Sequence, residues 1–174
     1  MENDVLKNIK SRRSIRRYEP RQILTEELRI ILEAGTYAPS GMGKQSCFIV
    51  AVQDEAIKSQ LVRMNAKVQG VKSNPYYDAP TIVLVFAPKI EIWKNSIQDG
   101  SLVLGTMMLA ANSIGIGTCW INREIEMFSS DEGKALMARF SLPDGLMGVG
   151  ALSLGYPATE GKVVPRKENY YRVV

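Results

Sequence analysis

Apolar and polar positions along the chain fall into helical spacings and continuous runs. Val5, Leu6 and Ile9 share one face, so a short helix is predicted over 4–10. Leu28, Ile31, Leu32 and Ala34 repeat the helical spacing behind Thr25, the expected N-cap, with Glu26 and Glu27 in the first turn. Gly35 and Pro39 mark the end of that second helix. Phe48–Val52 and Thr81–Phe86 read as buried strands, the latter covered on both faces. Between them Asp54 caps a helix running toward Val68, and a longer connection follows over 70–80. The segment 98–113 is apolar nearly all round, which predicts a helix buried centrally or at a subunit interface. Its small residues Gly105, Ala110 and Ala111 would let a neighbour approach closely. Gly117–Ile121 reads as a short strand, and Ser129 with Glu132 as a capping box for a helix to Phe140. Asp144-Gly145 is a turn before a last strand over 147–154. The tail is polar and basic until Tyr170-Tyr171-Arg172-Val173-Val174, an end apolar enough to pack on something, a second subunit included.

Length and composition narrow this further. At 174 residues the sequence is expected to form one domain, 1–174, with a core that needs no disulfide or metal. Strand–helix alternation alone would suggest a doubly wound parallel sheet. The polar start, Met1-Glu2-Asn3-Asp4, does not read as a signal peptide. The most apolar stretch, 102–116, is interrupted by Gly105, Asn112 and Gly115, so no membrane partner is expected. Cys47 and Cys119 form no metal-ligand pattern, so no metal and a reduced, cytoplasmic setting are expected. The sequence contains no histidine, which excludes a Ser-His-Asp triad, a Cys-His dyad and His-ligated zinc. Redox chemistry without histidine is what a bound cofactor can supply.

The densest charge follows the first predicted helix. Arg12, Arg13 and Arg16, with Lys10, surround Ser14. Guanidinium groups match phosphate oxygens bidentately, and serine adds a neutral hydrogen bond. A solvated helix end is the simpler reading of the same residues. Arg166-Lys167, behind Pro165, is a second basic pair, either a solvated tail or a second contact to one phosphate. The net charge of +4 is compatible with an anionic ligand but does not by itself imply nucleic acid, and a small basic module binding nucleic acid through Arg12, Arg13, Arg16 and Arg166 is the competing reading. Against the latter, aromatic residues make up only 7% and no basic–aromatic stripe runs along the chain, so no nucleic-acid partner is expected.

Taken in order, these pieces resemble a family. Arg12-Arg13-Ser14-Ile15-Arg16-Arg17-Tyr18 is similar to the opening signature of the nitroreductase family of FMN-dependent oxidoreductases. Ala38-Pro39-Ser40-Gly41-Met42-Gly43-Lys44-Gln45 resembles its Pro-Ser loop, and Asn65-Ala66 an asparagine placed after a helix. Asp99-Gly100-Ser101, Gly117-Thr118-Cys119-Trp120-Ile121, the stretch 150–157 and Pro165-Arg166-Lys167 resemble later parts of the same pattern.

The resemblance implies an α+β fold with a mixed central sheet flanked by helices and a long buried helix at a dimer interface. It implies FMN as cofactor, with Arg12, Ser14, Arg166 and Lys167 on the phosphate and Arg13 near the phosphate or ribityl chain. Arg16 would lie at the flavin N1 and O2 edge, where a cation stabilises the negative charge of reduction. Asn65 would meet the pyrimidine edge. Pro39, Ser40, Gly41, Gly43 and Gln45 would come from the other subunit, and Trp120, Ile121 and Gly155 would lie beside the ring. An ordinary core role is the competing reading of Trp120, and a surface helix position that of Asn65. The implied reaction passes hydride from NADH or NADPH through flavin N5 to a nitroaromatic or quinone by a ping-pong route, with no protein group catalysing directly. FMN binding or sensing without turnover stays open. Gly43 stands where the family often has asparagine, and Ser46-Cys47 where an aromatic is common, so the cavity rim would differ. Cys47 reads as a buried structural cysteine rather than a reactive thiol.

Overall fold

A computed structural model describes residues 2–174. The elements are α1 (Asp4–Ser11), α2 (Thr25–Thr36), β1 (Phe48–Val52), α3 (Glu55–Gln69), β2 (Thr81–Pro88), α4 (Ser96–Ser113), β3 (Gly117–Ile121), α5 (Glu124–Ser129), α6 (Asp131–Arg139) and β4 (Leu146–Gly155). The strands form one α+β sheet in the order β1-β2-β4-β3, and every pairing between them is antiparallel. This excludes a doubly wound parallel sheet. After α3 the connection over 70–80 carries the chain along a second leg, so β2 enters from the opposite end. The mixed character expected of the sheet is limited to a parallel bridge between Ser14 and Thr118.

β2 alternates between two cores, as its unbroken apolar run predicts. Ile82, Leu84 and Phe86 join Leu61, Met64, Tyr76 and Phe128 on one face. Val83, Val85 and Ala87 join Ile31, Leu104, Met107 and Leu152 on the other. α4 supplies Val103, Leu104, Met107, Met108 and Ala111 to the second core. Gly100 lets it approach β4 so closely that a Cβ there would lie 2.8 Å from Val149. The opposite side of α4 is open. Ile97 and Leu102 are exposed, and a Cβ on Gly105 would meet nothing within 4 Å. α1 buries no residue, so its Val5, Leu6 and Ile9 face lies exposed too.

Two caps differ from the pattern. Leu24, not Thr25, precedes α2, and its backbone N–H donates to Glu27 Oε2 at 2.9 Å. A carboxylate reaching back satisfies that terminus without an N-cap hydroxyl. Ser130, not Ser129, caps α6 by accepting from the Gly133 N–H at 3.0 Å. The short helix α5, too brief for an apolar period to show, ends on Ser129, whose hydroxyl donates back to Ile125.

Candidate functional site

The arginine cluster is held by the end of α1 and the edge of β3. Arg12 closes α1, its N–H donating to the Asn8 carbonyl at 3.1 Å, and then turns extended. Ile15 N–H donates to the Thr118 carbonyl at 2.9 Å, so residues 14–16 run beside β3. The Tyr18 hydroxyl donates to the Ile15 carbonyl at 2.7 Å and fastens the turn.

The C-terminal tail folds back over this segment. Gly161 passes so close that a Cβ would collide with Arg13. A cavity of about 730 Å³ results, lined by Ile9, Lys10, Arg12, Arg13, Ser14, Arg16, Lys162, Val164, Pro165 and Arg166. The basic groups from opposite ends of the chain therefore converge, which the spacing in sequence left undecided. Lys162 joins them and was not singled out by the sequence. Lys167 is exposed and outside this lining.

No carboxylate lines the cavity. Lys10 is partnered by Glu2 at 3.7 Å. Arg13 Nη1 donates to the carbonyls of Lys10 and Arg12 at 2.6 and 2.8 Å, so this side chain also caps α1. Arg12 Nη1 and Arg13 Nε are buried without a hydrogen-bond partner. A buried guanidinium N–H left unpaired is costly, and an anion in the cavity is the partner its chemistry calls for. The residues present thus fit a phosphate.

Arg16 is exposed, its Cζ 5.8 Å from the Tyr77 ring centroid. Its pKa is raised by the Tyr77 hydroxyl and by nearby Cys119. Burial pushes the Cys119 thiol up, partly countered by Arg16, Ser14 and Arg12. Tyr77 and Asp78 both adopt left-handed backbone, φ 57° and 55°. Such strain in residues other than glycine persists only where surroundings enforce it.

The 39–45 loop lies elsewhere. Gly41 N–H donates to Asp99 Oδ1 at 2.9 Å, and Gln45 N–H to Ser40 Oγ at 2.9 Å. Gly43 takes φ +64°, a conformation glycine adopts freely. Ser40 and Gln45 line a second cavity of about 460 Å³ with Cys47, Phe48 and Val103. Pro39 is exposed beside it. Burial pushes the Cys47 thiol up to about 11, leaving little thiolate. Asp99 sits in the first turn of α4, whereas Asn112 in its last turn donates to Asn8 Oδ1 of α1 at 2.6 Å. At about 1.5 Å per residue, roughly 20 Å of helix separates the loop anchor from the anchor of the arginine segment.

The other predicted residues are placed as follows. Asn65 lies inside α3, not after it, and is 1% exposed, so it is no surface position. Its Nδ2 donates to the Asn122 carbonyl at 2.8 Å, and its buried Oδ1 has no partner. Trp120 packs on the second core, its Nε1 donating to Asn122 Oδ1 at 2.8 Å. Ile121, one residue on, faces the opposite core and is 6% exposed. Strand alternation therefore leaves Ile121 only its backbone for a ligand. A Cβ on Gly155 would lie 2.7 Å from Pro80, so this glycine serves close packing. Among the described residues no cluster of three or more His, Cys, Asp or Glu could hold a metal, and no helix is long and apolar enough to cross a membrane.

The Nitroreductase family pattern matches residues 9–156, from the end of α1 through β4. The chain belongs to the nitroreductase family. Among curated nitroreductase relatives, it is 33% identical over 165 residues to a putative NADH dehydrogenase/NAD(P)H nitroreductase of Archaeoglobus fulgidus, covering 90% of this chain and 87% of the relative. It is 25% identical to an FMN reductase [NAD(P)H] of Bacillus subtilis, covering 94% and 70%. Among solved structures, a nitroreductase with bound FMN from Bacteroides fragilis superposes with TM-score 0.87 at 31% identity, over 99% of this chain and all of that one.

Against that nitroreductase frame, sequence reasoning missed Asp99 and Trp93 as anchors of the loop. Trp93 Nε1 donates to Asp99 Oδ2 at 2.7 Å, and Lys44 Nζ stands 4.0 Å from the indole centroid. Glycine-rich composition marked the loop, but nothing local marked its distant acceptor.

Proposed function

We propose that the protein is an NAD(P)H-dependent flavin oxidoreductase that binds FMN and reduces small electron-poor acceptors such as nitroaromatics and quinones. The observation that carries the reading is the cavity joining Arg12, Ser14 and Arg16 to Arg166 around an unpartnered buried guanidinium nitrogen. The FMN reductase relatives and the FMN-bound nitroreductase neighbour support the cofactor.

Arg12, Ser14 and Arg166 would hold the phosphate, with Arg13 and Lys167 at its margin. Arg16 would place positive charge at the N1 and O2 edge of the ring, where reduction develops negative charge. Asn65 would meet the pyrimidine edge through its free Oδ1, with Trp120, the Ile121 backbone and Gly155 near the ring. Bound FMN would supply the hydride chemistry between NAD(P)H and the acceptor. Donor and acceptor would use the same opening in turn, a ping-pong order that asks the chain for orientation rather than acid–base groups.

The site would be completed in a homodimer. One chain keeps its 39–45 loop far along α4 from its own arginine cavity, and a second chain crossing the open side of α4 would bring Pro39, Ser40, Gly41, Gly43 and Gln45 to it. The exposed apolar faces of α1 and α4 favour such a partner.

The visible spectrum of purified protein, followed by NADH and NADPH oxidation with a nitroaromatic or quinone, tests the proposal. A flavin spectrum and steady turnover are expected. Protein that stays colourless after incubation with excess FMN would refute cofactor binding, and bound flavin without turnover would refute the enzymatic role.

A further inference from the structure

Asn65, assigned above to the flavin, is one end of a buried polar chain whose other members, Tyr76 and Glu124, the proposed reaction leaves unused. Asn65, Tyr76 and Glu124 are each 1% exposed. Asn65 Nδ2 donates to the Asn122 carbonyl at 2.8 Å and to Tyr76 Oη at 3.3 Å. The Tyr76 hydroxyl donates in turn to Glu124 Oε1 at 3.0 Å. Two acceptors stay buried and unpartnered at the ends, Asn65 Oδ1 and Glu124 Oε2.

Glu124 has no ion-pair partner among the described residues. The ionisable groups acting on it are Tyr76, from the segment before β2, and Glu126 and Arg123 from its own stretch. α3 presents Asn65, and β4 presents Gly148, where a Cβ would lie 2.6 Å from the Glu124 carbonyl. The residues α6 buries beside α5 are Gly133, Leu136 and Met137, none ionisable. Lys58 of α3 is committed to Glu55 and the Pro80 carbonyl. Burial therefore pushes the Glu124 carboxyl up to about 8. Burial also holds the Tyr76 phenol well above its ordinary value, so its hydroxyl keeps one hydrogen.

One hydrogen makes the chain directional. Facing a carboxylate, Tyr76 must donate to Glu124, its oxygen accepts from Asn65 Nδ2, and Asn65 Oδ1 is left free as an acceptor. A protonated Glu124 can donate to Tyr76 instead. The tyrosine hydrogen then turns to Asn65, whose amide must offer Oδ1 inward and present Nδ2 where the free acceptor stood. That arrangement also gives up the bond to Asn122.

We propose that Glu124 is a positioning residue for the flavin: through Tyr76 it sets which end of the Asn65 amide meets the pyrimidine edge. The proposal rests on the assignment of Asn65 to FMN made above. The pyrimidine edge carries one N–H donor between two carbonyl acceptors, and with Asn65 set opposite that N–H, FMN is held more tightly when the amide shows it an oxygen. Ionised Glu124 is the tight-binding state.

The test is the FMN dissociation constant, read by flavin fluorescence from about pH 7 to about pH 9, where the cofactor phosphate is already dianionic. In wild type, affinity rises roughly tenfold across this range, as one well-made hydrogen bond to a polar partner predicts. Glu124→Gln cannot ionise and shows pH-independent binding, and Tyr76→Phe loses the pH dependence as well. A Glu124→Gln variant that tracks wild type at every pH overturns the proposal. Asn65→Ala separates the two levels. If it binds FMN like wild type, the Asn65 assignment fails and the proposal with it. If it binds weakly while Glu124→Gln still follows wild type, the relay alone is wrong.

Discussion

The Gly41 N–H and the Trp93 indole N–H converge on the two carboxylate oxygens of Asp99, at 2.9 and 2.7 Å. One buried side chain in the first turn of α4 thus ties down both the 39–45 loop and the segment leading into the helix. Gly41 is tight against this anchor, since a Cβ would lie 2.6 Å from both Trp93 and Asn95. Asp99→Ala leaves two donors without their acceptor, at about 1–3 kcal/mol for each that stays buried. Denaturant unfolding should show that loss, with Asp99→Asn intermediate because it keeps one acceptor. FMN retention should fall in parallel, because a loosened loop no longer presents Ser40 and Gln45.

Arg12 and Arg13 should separate in their effects. Arg12→Ala removes a buried guanidinium nitrogen that has no protein partner, so under the proposed phosphate role FMN affinity should fall by roughly ten- to a hundredfold, equivalent to about 1.5–3 kcal/mol. Arg13 is bound to the backbone carbonyls of Lys10 in α1 and of Arg12 just after it, so Arg13→Ala should lower stability more than it lowers affinity. Equilibrium titration and denaturant unfolding on both variants check the contrast. Equal losses of affinity would remove it.

Gly155→Ala drives a methyl against the rigid Pro80 ring at 2.7 and 2.8 Å and against Tyr18 at 3.1 Å. The expected cost is about 1–3 kcal/mol of overpacking, read as a lower urea midpoint. The crowding atoms hold the turn after Arg16, so a weaker flavin spectrum should accompany it.

Glu124 makes stability depend on pH. Its native pKa of about 8 lies above the 4.5 of the unfolded chain, so the folded protein binds more protons between these values. The associated stability is complete below about 4.5 and is lost as pH rises toward about 8. The slope reaches at most about 1.4 kcal/mol per pH unit. Urea midpoints measured across this window should fall for wild type, and Glu124→Gln should lack that component of the slope.

Gly105→Ala tests the open side of α4. In one chain the new methyl enters empty space, and alanine favours the helix by roughly 0.5–1 kcal/mol. Against a closely packed second copy, the same methyl weakens association. Sedimentation should therefore show a raised dimer dissociation constant. An unchanged constant would count against α4 as the interface.

Much of the architecture was written locally. β1 and β3 coincide with their apolar runs, and Asp54 caps α3 where its side chain predicts, accepting from the Ile57 N–H at 2.9 Å. Those features depend on neighbours a few residues away, and sequence records such neighbours directly. α5 and the Ser130 cap escaped because a six-residue helix has too few positions to show a period.

The residues proposed to bind the cofactor divide in the same way. Residue types alone left Arg12, Ser14 and Arg16 open between a solvated helix end and an anion grip, and Arg166 between a solvated tail and a second contact, and only the resemblance weighted them toward a phosphate. Their convergence required the tail to fold over Arg13, a contact across nearly the whole chain that no spacing encodes. The direction of β2, the opposite faces of Trp120 and Ile121, and the burial of Asn65 with Tyr76 and Glu124 were likewise settled by packing. Glu124 shows the reason most clearly. In sequence it is one acidic residue among eighteen, and only enclosure by α3, β4 and Tyr76 turns an ordinary carboxylate into a group that titrates near neutrality.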